Sequence, residues 1–289
     1  MTHPKSRIVD HFSTLAPSYD LVLCDVWGVV HNGMAAHADA GEALVRFRER
    51  GGTVVLVSNS PRPGIPVMRQ LDRFGVIRAA YDAVVTSGDV TRGVLAERPG
   101  TNVFHLGPER DLPIFEGLDM RFTALEAADC VVCSGLFDDV VETPDDYREL
   151  LGRIRARGLT MVCANPDVVV ERGEQLVYCA GAIADLYAAL GGEVIYAGKP
   201  YRPIYDLALA KGAAIRGATV DLARVLAIGD SVRTDFTGAL ALGIDCLFVT
   251  AGIHAEELGG RDQPDMTALA EIFATAGALP KAITRRLAW

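Results

Sequence analysis

The chain has 289 residues, 50% of them hydrophobic and 22% charged, a length that fits about two domains. That composition excludes a disordered chain, a collagen-like repeat and a coiled coil. With 28 basic residues against 37 acidic ones the net charge is −9; this disfavours nucleic acid as a partner, since neutralising its phosphates takes clustered Lys and Arg, but does not exclude a small phosphorylated ligand in one local pocket.

The opening Met1-Thr2-His3-Pro4-Lys5-Ser6-Arg7 leads into mixed polar residues rather than the apolar core of a signal peptide. No apolar run approaches the ~18 residues of a membrane span. The mean hydropathy of +0.22 is therefore read as a large buried core, and the chain as cytoplasmic with no membrane partner. Residues 21–26 read as a fully buried strand. A helix over 40–50 follows, with Ala40, Leu44 and Phe47 on one face and Gly51-Gly52 at its end. Residues 53–57 are the next strand, and 67–74 a helix closed by Gly75. Residues 101–106 and 128–133 are strands. Thr143-Pro144-Asp145-Asp146 opens a helix with a capping hydroxyl, a first-turn Pro and two acids at the positive end of the dipole. Tyr147, Leu150, Leu151 and Ile154 then form one buried stripe. A strand over 159–163, a helix over 182–190, a strand over 224–228, a helix over 235–242 and a strand over 245–249 complete the rhythm.

Buried strands alternating with helices predict an α/β fold, a doubly wound parallel sheet with both faces covered. Periodicity alone leaves open whether there is one large sheet or two domains. The six cysteines (24, 130, 133, 163, 179 and 246) read as core residues in a reducing compartment. Cys130 and Cys133 have the spacing of a metal half-site, but residues three apart in a strand point to opposite faces, so they too read as core.

Chemistry gathers just past the strand ends. Asp25 ends the first strand, ahead of Val26-Trp27-Gly28-Val29-Val30-His31-Asn32-Gly33. Ser58-Asn59-Ser60-Pro61 ends the second. Lys199 stands in Ala197-Gly198-Lys199-Pro200, and Gly229-Asp230-Ser231-Val232-Arg233-Thr234-Asp235 joins a strand to a helix. Each motif alone has a structural reading as a cap, a turn or a solvated charge. A doubly wound sheet, however, brings strand ends to one rim. Carboxylates beside a lysine there suit Mg²⁺ and a phosphoryl group.

These four motifs, in this order, resemble those of the haloacid dehalogenase (HAD) superfamily, and in particular its subclass with a large inserted α/β cap, which includes para-nitrophenyl phosphatase-like and sugar- or nucleotide-phosphate phosphatases. The resemblance runs over roughly residues 21–258. It implies a Rossmann-like core from 1–87 and 193–289, with a cap over 88–192. It further implies Asp25 as nucleophile, Ser58 and Asn59 holding the phosphoryl group, and Lys199 neutralising that group and orienting Asp25. Asp230 would ligate Mg²⁺ with Asp25, Asp235 would support the metal shell, and the Gly28 backbone would approach the phosphoryl oxygens. Asn165-Pro166-Asp167 and Cys179-Ala180-Gly181-Ala182 also look like this subclass. Asn165 and Asp167 are expected either to contact the leaving group or to form a turn. The substrate class implied is a small phosphorylated metabolite, and the resemblance is compatible with a homodimer.

One position departs from the family pattern. The first motif of the family is Asp-x-Asp-Gly, its second Asp protonating the leaving group; this chain has Trp27 there. Its backbone carbonyl can still ligate Mg²⁺, but an indole has no proton to exchange. General acid–base groups contribute ~10²–10⁴ in rate, so slow turnover or a preference for activated leaving groups is expected. Three readings follow. His31 supplies the proton, or the chain is an attenuated phosphatase or phosphate-ligand sensor, or the carboxylate attacks carbon as in the dehalogenases of the superfamily. Asp230 and Asp235 weigh against the third, because carbon attack needs no metal; the first two stay open. Arg233 is read as a substrate contact or a surface ion pair, Arg285-Arg286 as a solvated tail, and Leu287 with Trp289 as an anchor to the core or to a second subunit.

Overall fold

A computed structural model describes residues 7–172 and 175–289; the opening residues 1–6, part of the reading of a leader-free start, lie outside them. Contacts divide the chain into two units. One takes the chain up to Ser58, Met68–Val85 and Tyr205–Trp289; the other takes Asn59–Val67 and Thr86–Ile204.

The first unit is built on a seven-stranded sheet. In spatial order its strands are Arg7–Ile8, Ala282–Thr284, Asp245–Val249, Val225–Gly229, Leu21–Asp25, Thr53–Ser58 and Ala83–Thr86. The central strands are apolar runs buried at nearly every position, as expected where helices cover both faces. Leu21–Asp25 pairs in parallel with both neighbours, Cys24 lying opposite Ile228 and Asp25 opposite Val57. From Leu21–Asp25 the chain steps outward through Thr53–Ser58 to Ala83–Thr86. From Val225–Gly229 it steps the other way, through Asp245–Val249 to Ala282–Thr284. Strand order thus reverses between Leu21–Asp25 and Val225–Gly229, and a crevice for ligand opens at the carboxyl ends of two such strands.

The second unit holds a five-stranded parallel sheet in the order Val194–Tyr196, Met161–Cys163, Cys130–Cys133, Thr101–Leu106, Met120–Phe122. It also holds an antiparallel pair, Val169–Arg172 with Gln175–Tyr178. On one face of the five-stranded sheet Val131, Cys133, Met161 and Cys163 pack with Leu151, Ile154, Ile183 and Tyr187 of the helices Arg148–Ala156 and Ala180–Ala189. On the other, Val103, Cys130, Val132 and Val162 pack with Leu95, Ile114 and Phe115. Cys130 and Cys133 therefore lie in different core layers, and the half-site spacing carries no metal chemistry here.

Two helices differ from the sequence reading. The segment opened by Thr143 starts as a 3₁₀ turn, Pro144–Tyr147, and becomes α-helical at Arg148. The expected helix over 235–242 is a π-turn, Val232–Phe236, running into Thr237–Leu242; a widened turn of this kind often marks a functional site. The tail is anchored to the core of the first unit: Leu287 is buried, and the Trp289 ring meets Phe12 edge-on at 5.9 Å. Arg285 and Arg286 stay on the surface beside Asp262. No helix among the described residues is long and apolar enough to cross a membrane.

Candidate active site

Asp25 is the last residue of its strand and Asp230 follows directly on Val225–Gly229. The two carboxylates therefore flank the reversal of strand order. The π-turn brings Asp235 to the same place. Asp25, Asp230 and Asp235 each offer an oxygen within 4.8 Å of the others, and they are only 7%, 4% and 4% exposed. Ionised carboxylates ~5 Å apart repel by ~3 kcal/mol per pair even at an effective dielectric of 20. A buried trio of this kind fits a hard divalent cation such as Mg²⁺, whose ligands are carboxylate and carbonyl oxygens.

The backbone around the trio is cleared by glycines. A Cβ on Gly28 or Gly252 would run into the Asp230 carboxylate, and one on Gly229 into Asp235. Gly28 also has φ +85°, a conformation that only glycine takes up freely. The Ile253 N–H donates to Asp230 Oδ2 at 2.7 Å and the Ser231 N–H to Asp235 Oδ2 at 3.2 Å. Gly252 and Ile253 escaped the sequence reading; a glycine a few residues past the buried strand Asp245–Val249 was the available signal. Ser58 closes its strand one residue past Val57, the partner of Asp25, and is buried.

The loop after Asp25 is tightly folded. The Gly28 N–H donates to the His31 carbonyl at 2.8 Å, and the His31 N–H donates to that of Val26 at 3.2 Å. The Trp27 indole lies over Gly33, where a Cβ would collide with its six-membered ring. It meets the His31 ring edge-on at 5.0 Å, and His31 in turn meets Phe74 at 4.9 Å. His31 is 2% exposed. Its Nδ1 accepts from the Gly33 N–H at 2.9 Å, which leaves the proton of the neutral ring on Nε2. Burial, helped by the charge of His37, pushes its imidazole down to about 4. The Trp27 Nε1–H is buried and finds no acceptor among the described residues.

A second cluster belongs to the other unit. Lys199, Asn59 and Asn165 are buried there, at 3%, 3% and 8% exposure. Asn59 Oδ1 accepts from the Lys199 N–H at 2.7 Å, while Asn59 Nδ2 donates to the Lys199 carbonyl at 3.1 Å and to Asp167 Oδ1 at 2.8 Å. Asn165 Oδ1 accepts from the Asp167 N–H at 3.1 Å, a turn closed by its own side chain. Arg233 is exposed at the start of the π-turn.

Residues 22–121 match a family model described as haloacid dehalogenase-like hydrolase, and residues 196–275 match one described as HAD-hydrolase-like. A haloacid dehalogenase-like hydrolase of Brucella suis 1330, known as a crystal structure, is 48% identical, with a TM-score of 0.87 over 97% of this chain and 100% of that one. D-glycerol 3-phosphate phosphatase of Mycobacterium tuberculosis is 28% identical over 84% of this chain, which spans 66% of that protein's length. A crystal structure of the glycerol phosphate phosphatase of M. tuberculosis in complex with magnesium is 26% identical, with a TM-score of 0.64 over 91% of this chain and 75% of that one. The sheet whose strand order reverses at a buried carboxylate trio and the near-complete match to the Brucella hydrolase lead to one assignment: the chain belongs to the haloacid dehalogenase-like hydrolases.

Proposed function

We propose that the chain hydrolyses a small phosphomonoester with Mg²⁺ held by Asp25, Asp230, Asp235 and the Trp27 carbonyl, and that the phosphoryl group passes through Asp25. An Asp25 oxygen attacks phosphorus, the bond from phosphorus to the ester oxygen breaks, and its electron pair leaves with that oxygen. Water then attacks the phosphoryl group on Asp25, the bond from phosphorus to the Asp25 oxygen breaks and the carboxylate returns. The proton that water loses passes through solvent to the departed ester oxygen, giving the alcohol and inorganic phosphate. When bound, Mg²⁺ supplies the positive charge that lets a carboxylate approach a phosphate dianion. Lys199 adds a second charge, and Ser58 with the backbone N–H groups after Asp25 donates to the phosphoryl oxygens. In this reading residues 88–192 form the cap, with 1–87 and 193–289 as the core, and Asn165 and Asp167 shape its substrate side. The name of the mycobacterial relative supports a small phosphorylated metabolite as substrate. The described cysteines are buried and none is joined in a disulfide, which supports a reducing, cytoplasmic setting.

The buried trio Asp25, Asp230 and Asp235 carries the proposal. Trp27 qualifies it. His31, neutral and with Nδ1 engaged, serves in this reading to brace the loop under the indole rather than to deliver a proton. Turnover then depends on leaving groups that depart without protonation. The same indole favours a second reading, a phosphate-ligand binder with little hydrolysis. Phosphate release from a panel of alkyl, aryl and acyl phosphates, with and without Mg²⁺, separates the two. The expected result is Mg²⁺-dependent release, lost by a factor of ~10³ or more in Asp25→Asn, since a nucleophile and metal ligand is removed. No release from any ester, with inorganic phosphate binding still measurable by calorimetry, supports the binder.

A further inference from the structure

Asn59 is a side chain whose hydrogen-bonding capacity can be counted. A carboxamide has two N–H donors and one carbonyl oxygen. Both donors are spent, one on the Lys199 carbonyl at 3.1 Å and one on Asp167 Oδ1 at 2.8 Å, while the oxygen accepts from the Lys199 N–H at 2.7 Å. The orientation of the amide is fixed by these partners. Flipped, it would set its NH₂ against the Lys199 N–H and its oxygen against a carbonyl and a carboxylate. A phosphoryl oxygen needs a donor, and the Asn59 side chain has none left to give.

The surroundings are shaped to keep this arrangement. A Cβ on Gly198, the residue before Lys199, would collide with Asn59 Oδ1 and crowd the Pro166 ring. Asp167 is held from both sides: its N–H by Asn165 Oδ1 at 3.1 Å, and its carbonyl by the Gly181 N–H at 3.1 Å, from the first turn of the helix Ala180–Ala189. Gly181 lies so close that a Cβ there would run into the Pro166 and Asp167 carbonyls. A rigid turn thus fixes a carboxylate, the carboxylate fixes an amide, and the amide grips the main chain of Lys199 at both its N–H and its carbonyl.

We propose that Asn59 is a positioning residue whose side chain clamps the backbone of Lys199, with Asp167 acting through it, and that neither of these side chains serves the reaction by binding the phosphoryl group. The inference rests on the phosphatase reading above and deepens it, since it changes the expected part of Asn59 from phosphate ligand to support for the lysine. It leaves the Asn59 backbone N–H as the only donor of that residue suited to a phosphoryl oxygen. Small displacements of a charged group that must meet a developing charge are costly in rate, so a side chain that never touches substrate still moves kcat.

The test is steady-state hydrolysis of p-nitrophenyl phosphate with Mg²⁺ by six proteins: wild type, Asn59→Ala, Asp167→Ala, the double alanine variant, Asn59→Asp alone, and Asn59→Asp combined with Asp167→Asn as a reversed pair. The clamp predicts that each alanine variant loses about tenfold in kcat while KM stays within about threefold, and that the double variant is no worse than Asn59→Ala, because both residues act through one chain of contacts. Asn59→Asp sets two carboxylates against each other and falls further; adding Asp167→Asn restores a donor between them and recovers at least about fivefold. A phosphate ligand at Asn59 predicts the opposite pattern: KM rises about tenfold, the two alanine losses multiply, and the reversed pair gains nothing. Any of those results overturns the inference. A wild-type protein that releases no phosphate defeats the phosphatase reading instead, and the same proteins are then compared by the Kd of inorganic phosphate, where non-additive alanine losses support the clamp and multiplied ones defeat it.

Discussion

Trp27 stands where a carboxylic acid is expected, and its environment shows what would follow from restoring one. The indole is wedged between Gly33 and the edge of His31, with its N–H buried and unanswered among the described residues, an arrangement that costs ~1–3 kcal/mol for the orphan donor alone. Trp27→Asp removes that orphan and supplies a group able to protonate an ester oxygen. Alkyl phosphates, whose leaving groups need the proton, should gain more than aryl phosphates, so the alkyl-to-aryl ratio of kcat/KM should rise tenfold or more, within the ~10²–10⁴ that acid–base groups contribute. An unchanged ratio would show that more than the proton donor is missing. Asp25 and Asp230 were legible in the sequence because strand ends in a doubly wound sheet share a rim and each follows an unbroken apolar run, whereas Asp235 joins them through the π-turn Val232–Phe236, which reads as ordinary helix in the sequence. Asn59 was not legible in the same way. Its place after Ser58 suggests phosphate binding, whereas its actual partners, Asp167 and Lys199, lie 108 and 140 residues away, and a side chain's partners at that separation leave no local trace.

At the scale of elements, the strands and helices with their own periodic signal were readable, and those that depend on neighbours were not. Arg7–Ile8 and Ala282–Thr284 are two and three residues long and exist as a parallel pair at the sheet edge. The helix Arg202–Arg216 has a glycine in its interior, Gly212, where a Cβ would collide with the Leu21 side chain; close packing on the strand outweighs a local preference worth ~1 kcal/mol. The helix Ser87–Ala96 carries a readable start in Thr86 and Asp89. The Asp89 N–H donates to Thr86 Oγ1 and the Thr86 N–H to Asp89 Oδ2, both at 3.0 Å, and Asp89 Oδ1 also accepts from the Gly64 N–H at 3.1 Å. Asp89→Ala removes two of these acceptor contacts, and a lost cap costs ~0.5–2 kcal/mol. A loss of ~1–2 kcal/mol is expected in urea unfolding, with Asp89→Asn retaining part of it. A smaller loss than ~0.5 kcal/mol would mean that packing of Val90 and Leu95 alone sets the helix.

Across the whole molecule one plan is used twice. In the second unit the chain steps from Thr101–Leu106 to Met120–Phe122 on one side, and from Cys130–Cys133 through Met161–Cys163 to Val194–Tyr196 on the other, so that sheet also has a point where strand order reverses. The trio stands at the first such point. At the second stands Asp111, 3% exposed and hydrogen-bonded to Ser134, whose Oγ also meets His105 Nε2 at 2.9 Å. Burial pushes the Asp111 carboxyl up to about 6, against the pull of Arg110, Arg62 and the Ser134 hydroxyl and with the push of Asp139. A carboxyl raised by about two units in the fold favours the folded state below its ordinary value and loses that advantage as pH climbs through about 6. Near pH 8 the ionised group costs ~3 kcal/mol relative to acid conditions. Asp111→Asn keeps the size of the side chain and removes the charge. Its stability advantage over wild type should therefore be small at pH 4.5 and grow to about 1–3 kcal/mol at pH 8, read from urea unfolding at both values. A gap that is the same at the two pH values would mean that Asp111 keeps an ordinary acidity in the fold, with its charge carried by Arg110 and Arg62 rather than suppressed by burial.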